Sequence, residues 1–81
     1  MPQYFFHLRD GTDEVLDPDG VDLPEDAIMG AALLAARDCM SSDIRSGTLD
    51  LRYRIDVYDS EGQLVQTVPF SDALTIVRPT N

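Results

Sequence analysis

One His, one Cys and no Lys are all that this 81-residue chain offers as nucleophiles or bases that titrate near neutrality. Acid–base or nucleophilic catalysis needs such a group held beside a second one in a pocket. His7 alternates with Phe6 and Leu8, which puts it on the more polar face of a strand, where a hydrogen-bonded surface imidazole is the default. Cys39 falls at the edge of an apolar helical arc, a common place for a small buried thiol. The inventory points away from an enzyme, with no catalytic residue and no cofactor expected.

The acidic turn Asp17-Pro18-Asp19-Gly20 invites a calcium reading, because Asp17, Asp19 and Gly20 match the third, fifth and sixth positions of an EF-hand loop. The first ligand position then falls on Val15, and Asp26 stands where a bidentate Glu belongs. A weak cation site at Asp17 and Asp19 is the one metal option left, and a solvated acidic turn is the default.

The arginines are more informative. Arg9, Arg52 and Arg54 fall in strand-like runs together with Phe5, His7 and Tyr58. If those two strands are neighbours, the six residues share the outer face of a sheet. Arg, Tyr and Phe are enriched at binding hot spots, so this set is the candidate partner-binding surface. The structural alternative is that the Arg stems cover the face and their heads pair with Asp56 or the acidic hairpin.

These residues must be positioned by elements that the sequence also outlines. Residues 3–9 alternate as a strand, with Tyr4, Phe6 and Leu8 on one side and Phe5, His7 and Arg9 on the other. Asp10-Gly11 signals a hairpin turn into a short strand over residues 14–17. Asp22-Leu23-Pro24-Glu25 has capping-box spacing and predicts a helix start. Ile28, Met29, Ala32, Leu33, Ala36, Met40 and Ile44 form one apolar arc, Leu34 points elsewhere, and Gly47 is the stop, so the helix ends between residues 40 and 46. Residues 52–58 alternate as a strand, and residues 63–70 supply its antiparallel partner across the Asp59-Ser60-Glu61-Gly62 turn. Ser71 is expected to cap a brief final helical turn over residues 71–74. The expected fold is therefore α+β, ordered β-β-α-β-β, a four-stranded antiparallel sheet with one long helix on one face. It fills residues 1–81 as a single domain, since a second core would leave too few residues to bury.

Charge narrows the partners. Fifteen acidic residues face six Arg, for a net −9, and residues 1–26 alone carry eight acids against Arg9. Such a field repels phosphate backbones and anionic lipid, which disfavours nucleic acid and membrane. A single Cys rules out an intramolecular disulfide, and the chain shows no signal-peptide pattern, which together point to the cytoplasm. The longest apolar stretch, residues 27–36, is about half of the roughly 20 residues a bilayer crossing needs.

The opening Met1-Pro2-x-Tyr4-Phe5-Phe6-x-x-Arg9-Asp10-Gly11, the segment Asp19-Gly20-Val21-x-Leu23-Pro24, and Asp59-x-x-Gly62 followed by Val68-Pro69-Phe70-x-Asp72-Ala73 run nearly end to end. Together they resemble a family of short uncharacterised bacterial proteins, a domain of unknown function. The resemblance implies a bacterial origin and a whole-chain domain, with no activity, cofactor or catalytic residue to carry over. Two function classes stand beside each other. One is a small protein-interaction or accessory module that binds a partner protein or a second copy of itself through the open sheet face or an edge strand. The other is an acidic decoy that mimics nucleic acid and occupies a basic partner. A cation- or small-ligand-binding protein is the weaker third reading.

Overall fold

A computed structural model of the chain describes residues 2–80, so Met1, the first residue of the resemblance motif, and Asn81 lie outside the described residues. Strand β1 spans Gln3–Arg9, β2 Glu14–Val15, β3 Val21–Asp22, β4 Arg54–Asp59 and β5 Leu64–Pro69. Helix α1 spans Ile28–Arg45, with single 3-10 turns at Glu25–Ala27 and Phe70–Asp72. All pairings are antiparallel, in the order β2-β1-β4-β5, and β3 also pairs β1. The sheet is thus four strands wide, as expected, with its outer position shared between β2 and β3.

Strict alternation sets the two faces. Tyr4 in β1, Ile55 and Val57 in β4 and Val68 in β5 are buried on one face, and Phe6 and Leu8 pack against that core. Helix α1 covers this face, lying over β4 and β5. Ala32 and Ala36 are fully buried, and their small side chains let the helix approach the fully buried Val57 closely. Phe70 closes the core after β5, with its ring 5.9 Å from that of Tyr53.

The helix arc is narrower than its sequence suggests. Ile28, Ala32, Ala36 and Met40 are buried, whereas Met29 and Ile44 are exposed; Leu34 is exposed, as its phase predicts. Gly47 stops the helix where expected, at φ +86°, donating its N–H to the Ile44 carbonyl at 2.9 Å. Among the described residues no helix is long and apolar enough to cross a membrane.

Two capping expectations fail. Asp22 lies in β3 opposite Gln3, so the chain is still extended there, and Pro24 leads into a 3-10 turn with no side-chain cap. The spacing Asp22-x-x-Glu25 is present, but strand pairing to β1 takes the backbone first. The last turn begins at Phe70 rather than Ser71, preceded by Pro69 and again without a side-chain cap.

Candidate functional site

The face opposite the helix is a ladder of three cross-strand rows. Phe5 stands opposite Tyr58, which stands opposite Leu64; His7, Asp56 and Thr67 form the second row; Arg9, Arg54 and Pro69 the third. A bulge makes the first row. Val57 pairs with Gln66 but Tyr58 pairs with Leu64, so Val65 is left over and Leu64 takes the position opposite Tyr58.

Asp56 is the hub. Its side chain is only 5% exposed, yet it sits on the face that carries no helix. Its oxygens accept from Arg54 Nε at 3.1 and 3.2 Å and from Thr67 Oγ1 at 3.0 Å, with Arg9 Nη1 at 3.4 Å. The stems of two Arg residues from neighbouring strands roof the carboxylate, and its charge is met on both sides. Arg9 is tied further: its Nη1 donates to the Tyr58 hydroxyl at 2.6 Å and its Nε to Glu14 at 3.0 Å. Its guanidinium lies 5.1 Å from the Tyr58 ring centroid. The Tyr58 hydroxyl first and Glu14 second raise the Arg9 pKa above its ordinary value, against the opposing effect of burial.

His7 is fixed by a different clamp. Its Nδ1 accepts the Asp17 N–H at 3.0 Å, so the neutral ring carries its proton on Nε2, and the ring lies 5.2 Å from that of Tyr58. The Asp17 carboxylate accepts from the N–H groups of Asp19 and Gly20 on one oxygen and of Phe6 on the other. Burial would raise the Asp17 pKa; those amides, with the nearby His7, overcome it and hold the carboxyl below its ordinary range. The acidic turn suspected of binding a cation is thus built around its own backbone amides, and Asp17 spends its lone pairs there. Among the described residues no group of three or more His, Cys, Asp or Glu could hold a metal ion. Gly20 belongs to the same clamp: at φ +73°, an added Cβ would lie 2.9 Å from Phe5 Cε2 and 3.0 Å from the Tyr4 carbonyl.

Of the six residues expected to share the outer face, the structure brings five together. Phe5, His7, Arg9 and Tyr58, with Asp59 and Gly62 on the rim, line a shallow depression of about 340 Å³, and Arg54 flanks Arg9. Arg52 is the exception. The alternating run extends two residues beyond β4, and Arg52 lies in the preceding turn, 79% exposed and paired with Asp50 at 2.8 Å. The pairing of Arg heads with Asp56 and the acidic hairpin also holds, for Arg54 and Arg9. Sequence reading missed Leu64 and the Asp59–Gly62 rim, although the hairpin turn following Tyr58 could have placed both beside it. Cys39 lies away from this face on α1, and burial pushes its thiol pKa up, with Asp43 and Asp38 adding to it.

No curated protein and no solved structure matches the chain. The model of DUF6894, a domain of unknown function, matches residues 3–71, from the first residue of β1 to the turn after β5, and so takes in the whole sheet, the helix and the outer-face ladder: the chain belongs to the DUF6894 family.

Proposed function

We propose that this domain is a non-enzymatic protein-interaction or accessory module that docks a partner protein on the outer face of its sheet. The observation that carries the reading is the Phe5–Tyr58–Leu64 row beside the Arg9–Asp56–Arg54 network. The row supplies aromatic and aliphatic surface next to a shallow depression, and the network holds two guanidinium groups in place before any partner arrives. Binding then loses less side-chain freedom, which is where flexible Arg residues ordinarily weaken an interface. The lone Cys39 and the resemblance to short bacterial proteins support a place in the bacterial cytoplasm.

The test must spare the fold. Reversing Arg54 would press a second carboxylate against buried Asp56, so the variant of choice changes two exposed residues outside the network, Leu64→Glu with Ser60→Arg. Affinity capture from the source-cell lysate, read by quantitative mass spectrometry, is expected to enrich a specific protein with wild type and lose it with this variant, while far-UV circular dichroism stays unchanged. Equal enrichment by both would remove the outer face from the reading. The acidic-decoy alternative is favoured by the exposure of Asp13, Glu14, Asp19, Asp22, Glu25 and Asp26. It predicts a partner that survives the Leu64 and Ser60 changes but is released by about 0.5 M salt.

A further inference from the structure

On the helix side, away from the ladder, the C-terminal half of α1 and the chain following it enclose an apolar groove of about 370 Å³. Met40, Ile44, Leu49 and Leu74 form its lining, and Arg37 and Arg45 stand on it. These arginines differ from those of the sheet. Arg9, Arg52 and Arg54 each pair with a carboxylate, whereas among the described residues no salt bridge involves Arg37 or Arg45; Arg37 Nε donates to the Ala73 carbonyl at 2.8 Å. On a chain of net charge −9, an apolar groove flanked by two cations that form no salt bridge among the described residues calls for an occupant that is both apolar and anionic.

The chain itself carries such a segment. Val15 and Leu16 are 65% and 52% exposed, and they lie between Asp13 and Glu14 on one side and Asp17 on the other. The segment is on β2 and the residues after it, at one edge of the sheet, while α1 lies over β4 and β5 toward the other edge. We infer that a second copy of this chain fills the groove: Val15 and Leu16 of one molecule insert against Ile44 and Leu74 of the next, with the exposed Asp13 carboxylate, the flanking acid not already engaged within its own molecule, facing Arg37 and Arg45. The two surfaces are different, so a single contact is head-to-tail, and the pair it joins keeps one groove unsatisfied on one molecule and one hairpin on the other.

That asymmetry supplies the test. Leu16→Arg disables the hairpin and Arg45→Glu disables the groove, and both positions are exposed, so circular dichroism should match wild type. Sedimentation velocity of wild type is expected to show concentration-dependent association that weakens as salt rises from about 50 to about 500 mM. Each variant alone should associate at least about tenfold more weakly, and an equimolar mixture should form a 1:1 dimer that grows no further, since each variant retains the surface the other lacks. The inference is overturned if wild type stays monomeric up to about 1 mM, which would leave the groove to another acidic, apolar segment. It is equally overturned if either variant associates like wild type, or if the mixture fails to dimerise.

Discussion

Replacing Asp56 by Ala should be the most damaging single change on the outer face. The carboxylate is buried, and its removal leaves the Arg9 and Arg54 guanidinium groups as cross-strand neighbours with no anion between them and the Thr67 hydroxyl without its acceptor. Removing one partner from a buried ion pair costs about 3–5 kcal/mol, and each hydrogen bond to a charged group contributes about 1.5–3 kcal/mol. Here both Arg side chains keep water access, at 23% and 37% exposure, so part of their solvation returns when the carboxylate goes. The loss is therefore set at about 2–3 kcal/mol, below the fully buried case. A domain of this size has roughly 4–12 kcal/mol of total stability, so the change takes a large share of it. At about 4–8 °C per kcal/mol, Tm should drop by roughly 10–20 °C. Asp56→Asn, which keeps one acceptor oxygen but no charge, should fall between wild type and Asp56→Ala. Urea and thermal unfolding followed by far-UV circular dichroism give both numbers. A loss below about 0.5 kcal/mol for Asp56→Ala would mean that the hub holds nothing together and that the Arg residues are solvated independently.

Gly20→Ala should destabilise more than Gly47→Ala: both sites have positive φ, but an added Cβ meets Phe5 and the Tyr4 carbonyl at Gly20 and nothing within 4 Å at Gly47. The strained backbone accounts for about 1 kcal/mol at each, and the contact adds to it only at Gly20, so equal urea midpoints for the two variants would contradict the crowding argument. Acid should weaken the fold through Asp10, Asp17 and Asp50, whose pKa values all lie below the ordinary 3.8. A carboxylate with a depressed folded-state pKa contributes its stability above the unfolded value and loses it as pH falls through the folded one. Urea midpoints should thus hold down to about pH 4 and then decline, with a shallower decline in Asp17→Asn; an identical acid limb in that variant would remove the amide clamp from the explanation.

The parts of the fold legible in the sequence are those where a period of two meets a half-buried sheet. Alternation puts Phe5, His7 and Arg9 on one side of β1 and Arg54 and Tyr58 on one side of β4, and the pairing of the two strands, which alternation leaves as a condition, brings them onto one face. Alternation says nothing of where a strand ends, so it also puts Arg52 on the face with its neighbours, although β4 begins two residues later. The strand β3 is two residues long and follows Gly20; its identity depends on backbone pairing to Gln3 and Tyr4, a contact with no local signature, so Asp22 looked like a helix cap. Asp56 shows a related limit. A carboxylate on the outward phase of a strand reads as solvent-facing, and its burial is produced by Arg9, 47 positions away, together with Arg54. Met29 and Ile44 share the apolar phase of the helix and are nonetheless exposed, because hydrophobic phase fixes the centre of a buried stripe better than its width.

The central pairing of β1 with β4 also governs how the domain can assemble. The α1 helix and the β4–β5 hairpin are local and can form early, but Arg9 and Tyr58 lie 49 positions apart, and closing so long a loop comes at an entropic cost before any contact returns it. During synthesis β1 leaves the ribosome well ahead of β4, so the edge of Tyr4, Phe5 and Phe6 that β4 will pair stays open while the helix and its following turn are made. The acids of residues 10–26 trail immediately behind them and give that waiting aromatic strand a repulsive shield against its counterparts on neighbouring nascent chains. On this view the same charge that surrounds the finished sheet protects its first strand before the sheet exists.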